Sequence, residues 1–146
     1  MKIQEEKSKI IKFGKWALKE GETFDFLGFT HKGVKDRVGR YKLMRQTSAK
    51  KLKAKKQAVK KWLKENMHGN VGETIKKLNQ KLRGHYNYYG LPDNRRKMDE
   101  FRNYIVEELK RVLNRRSQKA KMTWEKYKKI LKYNPIISVA VNYELS

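Results

Sequence analysis

The stretch NVGETIKKLNQKLRGHYNYYG, residues 70–90, decides the fold class. Val71, Ile75, Leu78, Leu82, Tyr86 and Tyr89 recur at the three- and four-residue spacing that gathers side chains on one face of an α-helix. Asn70 with Glu73 three residues on resembles a capping box, and Gly90 with Pro92 terminates the helix. Gly84 lies within it at a cost of about 1 kcal/mol against alanine, which implies the close approach of another backbone. Tyr86 and Tyr89 lie on the apolar stripe and are expected in the core, whereas His85, Asn87 and Tyr88 fall nearer the polar side, where RNA would meet them.

The same period extends in both directions. Upstream, Thr47 or Ser48 caps a helix with Leu52, Val59, Trp62 and Leu63 as its stripe, running to about Met67. Downstream, Asp93 or Asn94 starts a third helix carrying Met98, Phe101, Ile105, Leu109, Val112 and Leu113, ending among Asn114 to Gln118. A short fourth helix from Thr123 places Trp124, Tyr127 and Leu131 on one face and ends at Pro135. Amphipathic helices joined by short loops close most simply into a bundle. Residues 136–143 read as a β-rich tail whose final residues dock weakly or fray.

Before Thr47 the texture differs. Short apolar stretches at 9–13, 23–29 and 39–44, with turns near Gly14, Gly21 and Gly33, predict two to four strands of a small sheet. In the last of them Arg40, Lys42 and Met44 alternate with Tyr41, Leu43 and Arg45, so a basic edge faces outward while Tyr41 and Leu43 turn inward. The expected fold is therefore α+β and mainly helical: a small N-terminal antiparallel sheet over residues 1–46, a three-helix bundle with a short fourth helix over 47–134, and a tail over 135–146.

Charge bounds the function. Thirty-eight Lys and Arg against fifteen Asp and Glu leave a formal charge of +23, which opposes compaction unless a polyanion neutralises it. Nucleic acid is the obvious polyanion, since each phosphate contact gains free energy from counterion release. No apolar run approaches the roughly 20 residues of a membrane span and no signal peptide is evident, so a soluble, cytosolic protein is expected. With no cysteine, and with His31, His68 and His85 at spacings that match no zinc pattern, neither a metal site nor a cofactor is expected.

The positive charge is concentrated. Twelve basic residues and no acidic one occupy positions 37–64, and Lys110, Arg111, Arg115, Arg116, Lys119 and Lys121 form a second acid-free block. Solvated helix faces usually interleave Glu with Lys, so the first block reads as a phosphate-binding surface; helix-dipole capping alone explains two of the six cations in the second. Catalytic patterns are missing: there is no paired-aspartate signature, no glycine-rich phosphate loop, no histidine-based nuclease set and no serine elbow. Asp25 lies in a predicted strand between Phe24 and Phe26, and Asp36 reads as a turn residue.

Three strings then carry a likeness to a known family: FDFLGFTH at 24–31, KKLNQKLRGHYNYYG at 76–90, and LNRRSQK at 113–119 followed by Thr123-Trp124. Together they resemble bacterial group II intron reverse transcriptase/maturases, over most of the chain from about Glu5 to Pro135. The resemblance implies that residues up to about Thr47 correspond to the last strands of the polymerase palm and the helices after it to the thumb, also called the maturase or X domain. It implies a bundle that grips the template-primer duplex and binds structured intron RNA in support of splicing. The family's catalytic aspartates would lie upstream of Met1, so the chain is not expected to polymerise DNA alone.

On this reading Arg40, Lys42, Arg45, Lys51, Lys55 and Arg83 contact phosphates, His85 and Tyr88 add RNA contacts, and Arg115, Arg116 and Lys119 form a second surface. Two other readings stand beside it. One is the C-terminal half of a split reverse transcriptase completed by a separate palm-and-fingers chain; the other is a stand-alone DNA-binding or chaperone module.

Overall fold

The computed structural model describes residues 23–116 and 121–141. Three antiparallel strands in the order β1 (Thr23–Phe26), β2 (Phe29–Lys35) and β3 (Tyr41–Thr47) form the sheet. Four helices follow: α1 (Ala49–Asn66), α2 (Val71–Tyr89), α3 (Arg95–Arg116) and α4 (Trp124–Tyr133). The expected α+β, mainly helical class is what the chain forms. The predicted strand at 9–13 and the turns at Gly14 and Gly21 lie outside the described residues.

Turn chemistry sets the sheet. Leu27 and Gly28 form a two-residue loop with φ of 52° and 84°, the left-handed pair whose twist matches a tight hairpin. A Cβ on Gly28 would lie 2.7 Å from the Tyr89 hydroxyl, so conformation and space both demand glycine here. The second turn is not at Gly33, which is a buried β2 residue opposite Leu43. It is built by Asp36, whose Oδ1 accepts from the amides of Val38 and Arg40 at 2.9 Å each, with Gly39 at φ 84°. A lone glycine in an alternating run marked a buried strand position rather than a reversal.

Three of the four helices begin where a side chain satisfies the first amides. Ser48 accepts from Lys51 N at 3.2 Å, Asn70 from Gly72 N at 2.7 Å, and Thr123 from Lys126 N at 3.3 Å. The third start departs from expectation. A 3-10 turn, Pro92–Asn94, precedes α3, and the Asn94 side chain turns away from the helix to the sheet. Its Oδ1 accepts from Thr47 N at 2.6 Å and its Nδ2 donates to Tyr89 O at 2.9 Å. One fully buried amide thus ties the end of β3 to the end of α2.

The helical stripes close on one another as the period required. Leu63, Leu78, Met98 and Leu109 are completely buried, each worth about 1.5–3 kcal/mol of transfer free energy. Tyr127 of α4 is equally buried and donates its hydroxyl to Val106 O, which anchors the short helix. Trp124, expected on the same inner face, is instead 52% exposed. Gly90 ends α2 so tightly that a Cβ there would fall 2.2 Å from the Tyr86 carbonyl.

The tail is not a strand through Val141. It lies extended against the bundle, with Ile136 buried and its backbone bound by side chains. Arg102 donates to the carbonyls of Ile136 and Ile137 at 2.9 and 3.0 Å, Tyr86 OH reaches Ile137 O at 3.1 Å, and Asn79 bonds Ile137 N at 3.0 Å. The last residues, 142–146, lie outside the described set.

Candidate nucleic-acid interface

The lysines of α1 occupy the side its stripe leaves free. With Leu52, Val59 and Leu63 buried, the helical period turns Lys50, Lys53, Lys61 and Lys64 outward, and all four are exposed. Among the described residues none of them, nor Lys51 or Lys60, has a carboxylate within ion-pair reach; of this helix only Lys56 is paired, to Glu100 at 3.2 Å. A positive stripe therefore runs the length of an 18-residue helix, about 27 Å at 1.5 Å per residue.

The expected contact residues distribute about this stripe unequally. Lys51 and Lys55 lie at its start, where the β1–β2 turn meets the end of α2: Lys55 Nζ sits 5.1 Å from the Tyr89 ring centroid. Burial, aided by Lys51, pushes the Lys55 amine below the ordinary lysine range. Tyr88 is half exposed, stacks on Phe29 at 5.7 Å and donates to Leu27 O at 3.0 Å. Arg83 is exposed on α2.

Arg115 and Arg116 end α3, and Arg116 donates to Gly69 O at 2.8 Å, just past the far end of α1. Lys51 and Lys55 thus stand near one end of the lysine stripe and Arg116 near the other. Lys119 lies outside the described residues. Arg40 and Lys42 are exposed but spoken for, by Asp36 at 3.2 Å and Asp93 at 2.9 Å. Arg40 lies in the turn before β3 rather than along its edge.

Arg45 and His85 require correction as surface contacts. Register pairs Arg45 with His31, on the opposite face of β3 from Lys42, and Arg45 is half-buried, lining a cavity together with Phe29, His31 and Tyr88. His85 is 3% exposed, stacked between Tyr89 at 4.7 Å and Phe101 at 4.5 Å. Its position three after Leu82 and four before Tyr89 put it on the buried stripe; its polar type had suggested otherwise.

That burial has a thermodynamic consequence. Desolvation, with Lys55 as the lesser cause, pushes the His85 imidazole down to about 3. The unfolded chain, with an ordinary pKa near 6.5, then binds the extra proton first, so stability is full above about pH 6.5 and falls as the pH drops toward 3. Acidifying from pH 7 to 5 should remove about 2 kcal/mol, measured by urea unfolding. His85→Phe should flatten most of that slope, leaving the share of His31, which burial and Arg45 also depress.

Aromatic rings flank the cations elsewhere, and sequence reading had not singled these out. Lys81 Nζ lies 5.1 Å from the Trp62 ring and Lys110 Nζ 4.7 Å from Trp124. Such pairs hold amines in place at an exposed surface for about 0.5–1 kcal/mol each. Among the described residues no cluster of three or more His, Cys, Asp or Glu is placed to hold a metal, and no helix is long and apolar enough to cross a membrane.

No curated protein and no solved structure matches this chain. The model of one family, the group II intron maturase-specific domain, matches residues 52–137, from the first buried leucine of α1 to the docked tail. That span is more than half of the chain and contains the lysine stripe from Lys53 onward and the helical core from Leu52. The chain belongs to the group II intron maturase-specific domain family.

Proposed function

We propose that this maturase-type domain holds structured intron RNA by its phosphate backbone, along α1 and the basic groups at its two ends, and so supports splicing and the grip on a template-primer duplex. The observation that carries the reading is the stripe of lysines that, among the described residues, have no carboxylate partner along the length of one helix. A solvated structural face gains a few tenths of a kcal/mol from each Glu–Lys pair at helical spacing, and α1 forgoes that gain. Unpaired amines in a row repel one another, and only a polyanion reverses the sign of that interaction.

Contacts of this kind read shape and backbone rather than base sequence. Titration of a group II intron RNA at several salt concentrations tests it. With about six phosphates engaged, affinity should fall about a thousandfold between about 50 and 200 mM monovalent salt. Binding that ignores salt would defeat the proposal, and preference for duplex DNA over intron RNA at equal salt would favour a DNA-binding module instead.

A further inference from the structure

The short helix α4 turns its lysines away from the bundle. With Tyr127 buried, the helical period sets Lys128, Lys129 and Lys132 on the outward side, and all three are exposed. Glu125 lies three and four residues before Lys128 and Lys129, the spacing of a stabilising pair. Yet among the described residues none of the three lysines has a carboxylate within ion-pair reach. Lys128 and Lys129 stand four and three residues before Lys132, where like charges repel. Exposed rings mark the two ends of the helix: Trp124, 52% exposed with Lys110 Nζ 4.7 Å from its centroid, and Tyr133, 79% exposed.

The fold sets this face apart from the α1 stripe. On α3, Glu100 and Tyr104 meet Lys56 of α1, whereas Val106 O accepts from Tyr127 of α4 and Lys110 lies against Trp124. Tyr104 and Val106 point about 200° apart around a helix of 3.6 residues per turn. On α2, Lys81 meets Trp62 of α1, while Asn79 and Tyr86 hold the tail that follows α4. Helices α1 and α4 therefore cover opposite faces of the α2–α3 pair. The exposed ridge of α3 between them carries Asp99, Asn103 and Glu107, which repels a phosphate chain passing from one face to the other.

We propose that α4 holds a second segment of RNA, so that one domain grips two RNA helices at once, one on α1 and one on α4. The outward side of α4 offers amines but no apolar stripe to enter a bilayer, which favours a phosphate backbone over an anionic membrane. The α4 contact stands apart from the proposed function of α1; holding two segments together rests on it.

Sedimentation velocity with excess short RNA duplex at about 50 mM salt, where phosphate contacts are strong, counts the duplexes per protein. The full chain should carry two, and a donor-labelled and an acceptor-labelled duplex should transfer energy only when it is present. Changing Lys128, Lys129 and Lys132 together to alanine should weaken one binding step about a hundredfold, leave the other unchanged and abolish the transfer. All three side chains are exposed and alanine favours helix, so the thermal midpoint should hold. Changing the same three to arginine should keep both duplexes bound.

One duplex per protein with no transfer would overturn the second face, and whether Lys53, Lys61 and Lys64 hold that duplex then decides the α1 reading separately. Two duplexes on the alanine variant would overturn the assignment to α4. No duplex bound at all would remove both readings. One duplex, together with binding to phosphatidylserine–phosphatidylcholine vesicles that the alanine variant loses, would overturn it in favour of a membrane.

Discussion

Replacing Asn94 with alanine is expected to destabilise the protein by about 3 to 5 kcal/mol, the largest effect of any single side-chain truncation outside the apolar core. Asn94 is 0% exposed, and its amide holds three groups at once. Oδ1 accepts from Thr47 N at 2.6 Å and from the Thr47 hydroxyl at 3.0 Å, while Nδ2 donates to Tyr89 O at 2.9 Å. Truncation strands a buried amide and a buried carbonyl, each costing about 1–3 kcal/mol, and opens a small cavity besides.

The consequence reaches beyond stability. Thr47 ends β3 and immediately precedes the Ser48 cap of α1, so the same amide fixes where the lysine stripe begins. Asn94→Asp retains the acceptor but loses the donor and buries a charge, and it should be no better tolerated than alanine. Urea unfolding followed by circular dichroism measures both variants. A loss under about 1 kcal/mol for Asn94→Ala would show that the sheet and bundle do not depend on this tie.

The second large effect concerns binding. Changing Lys53, Lys61 and Lys64 to alanine together should weaken intron RNA binding about a hundredfold at low salt and make the log–log salt dependence shallower by about 2 to 3, the contribution of three phosphates. All three are exposed and, among the described residues, unpaired, so the melting temperature should hardly move; exposed substitutions of this sort stay within about 0.5 kcal/mol. The matching control is Lys56→Ala, whose amine already belongs to Glu100 at 3.2 Å and should alter the slope little. An unchanged slope in the triple variant would place the RNA on another face.

The cations had seemed alike in sequence and are not alike in space. Arg40, Lys42 and Arg45 lie within six residues of each other, yet one is in a turn beside Asp36, one pairs with Asp93 and one faces His31 across the ladder. Their partners come from 4, 51 and 14 positions away, and only the first was within reach of local reasoning. Asp36 was correctly read as a turn residue because its bonds to Val38 and Arg40 are local.

The same divide separates the correct helix limits from the misplaced aromatic and histidine side chains. Ser48, Asn70 and Thr123 cap helices through contacts two or three residues on, which a sequence displays directly. Trp124 shares a helical face with Tyr127, yet α4 is short and anchored by the Tyr127 hydroxyl on Val106, so the indole at its first turn overhangs the bundle and meets Lys110 instead. The tail alternates like a strand, but finds side chains of α2 and α3 rather than a strand to pair with.

By itself the sequence determined the helices, the caps of three of them, the apolar stripes and the concentration of positive charge on α1, because each depends on neighbours one turn away or on composition alone. Only the tertiary structure decided which cations remain unpaired, that His85 is buried with its nitrogens unmet, that Gly84 faces open space rather than another backbone, and that Asn94 joins the sheet to the bundle. Those outcomes depend on groups brought together from distant parts of the chain, whose relative orientation is fixed by packing and by no local period.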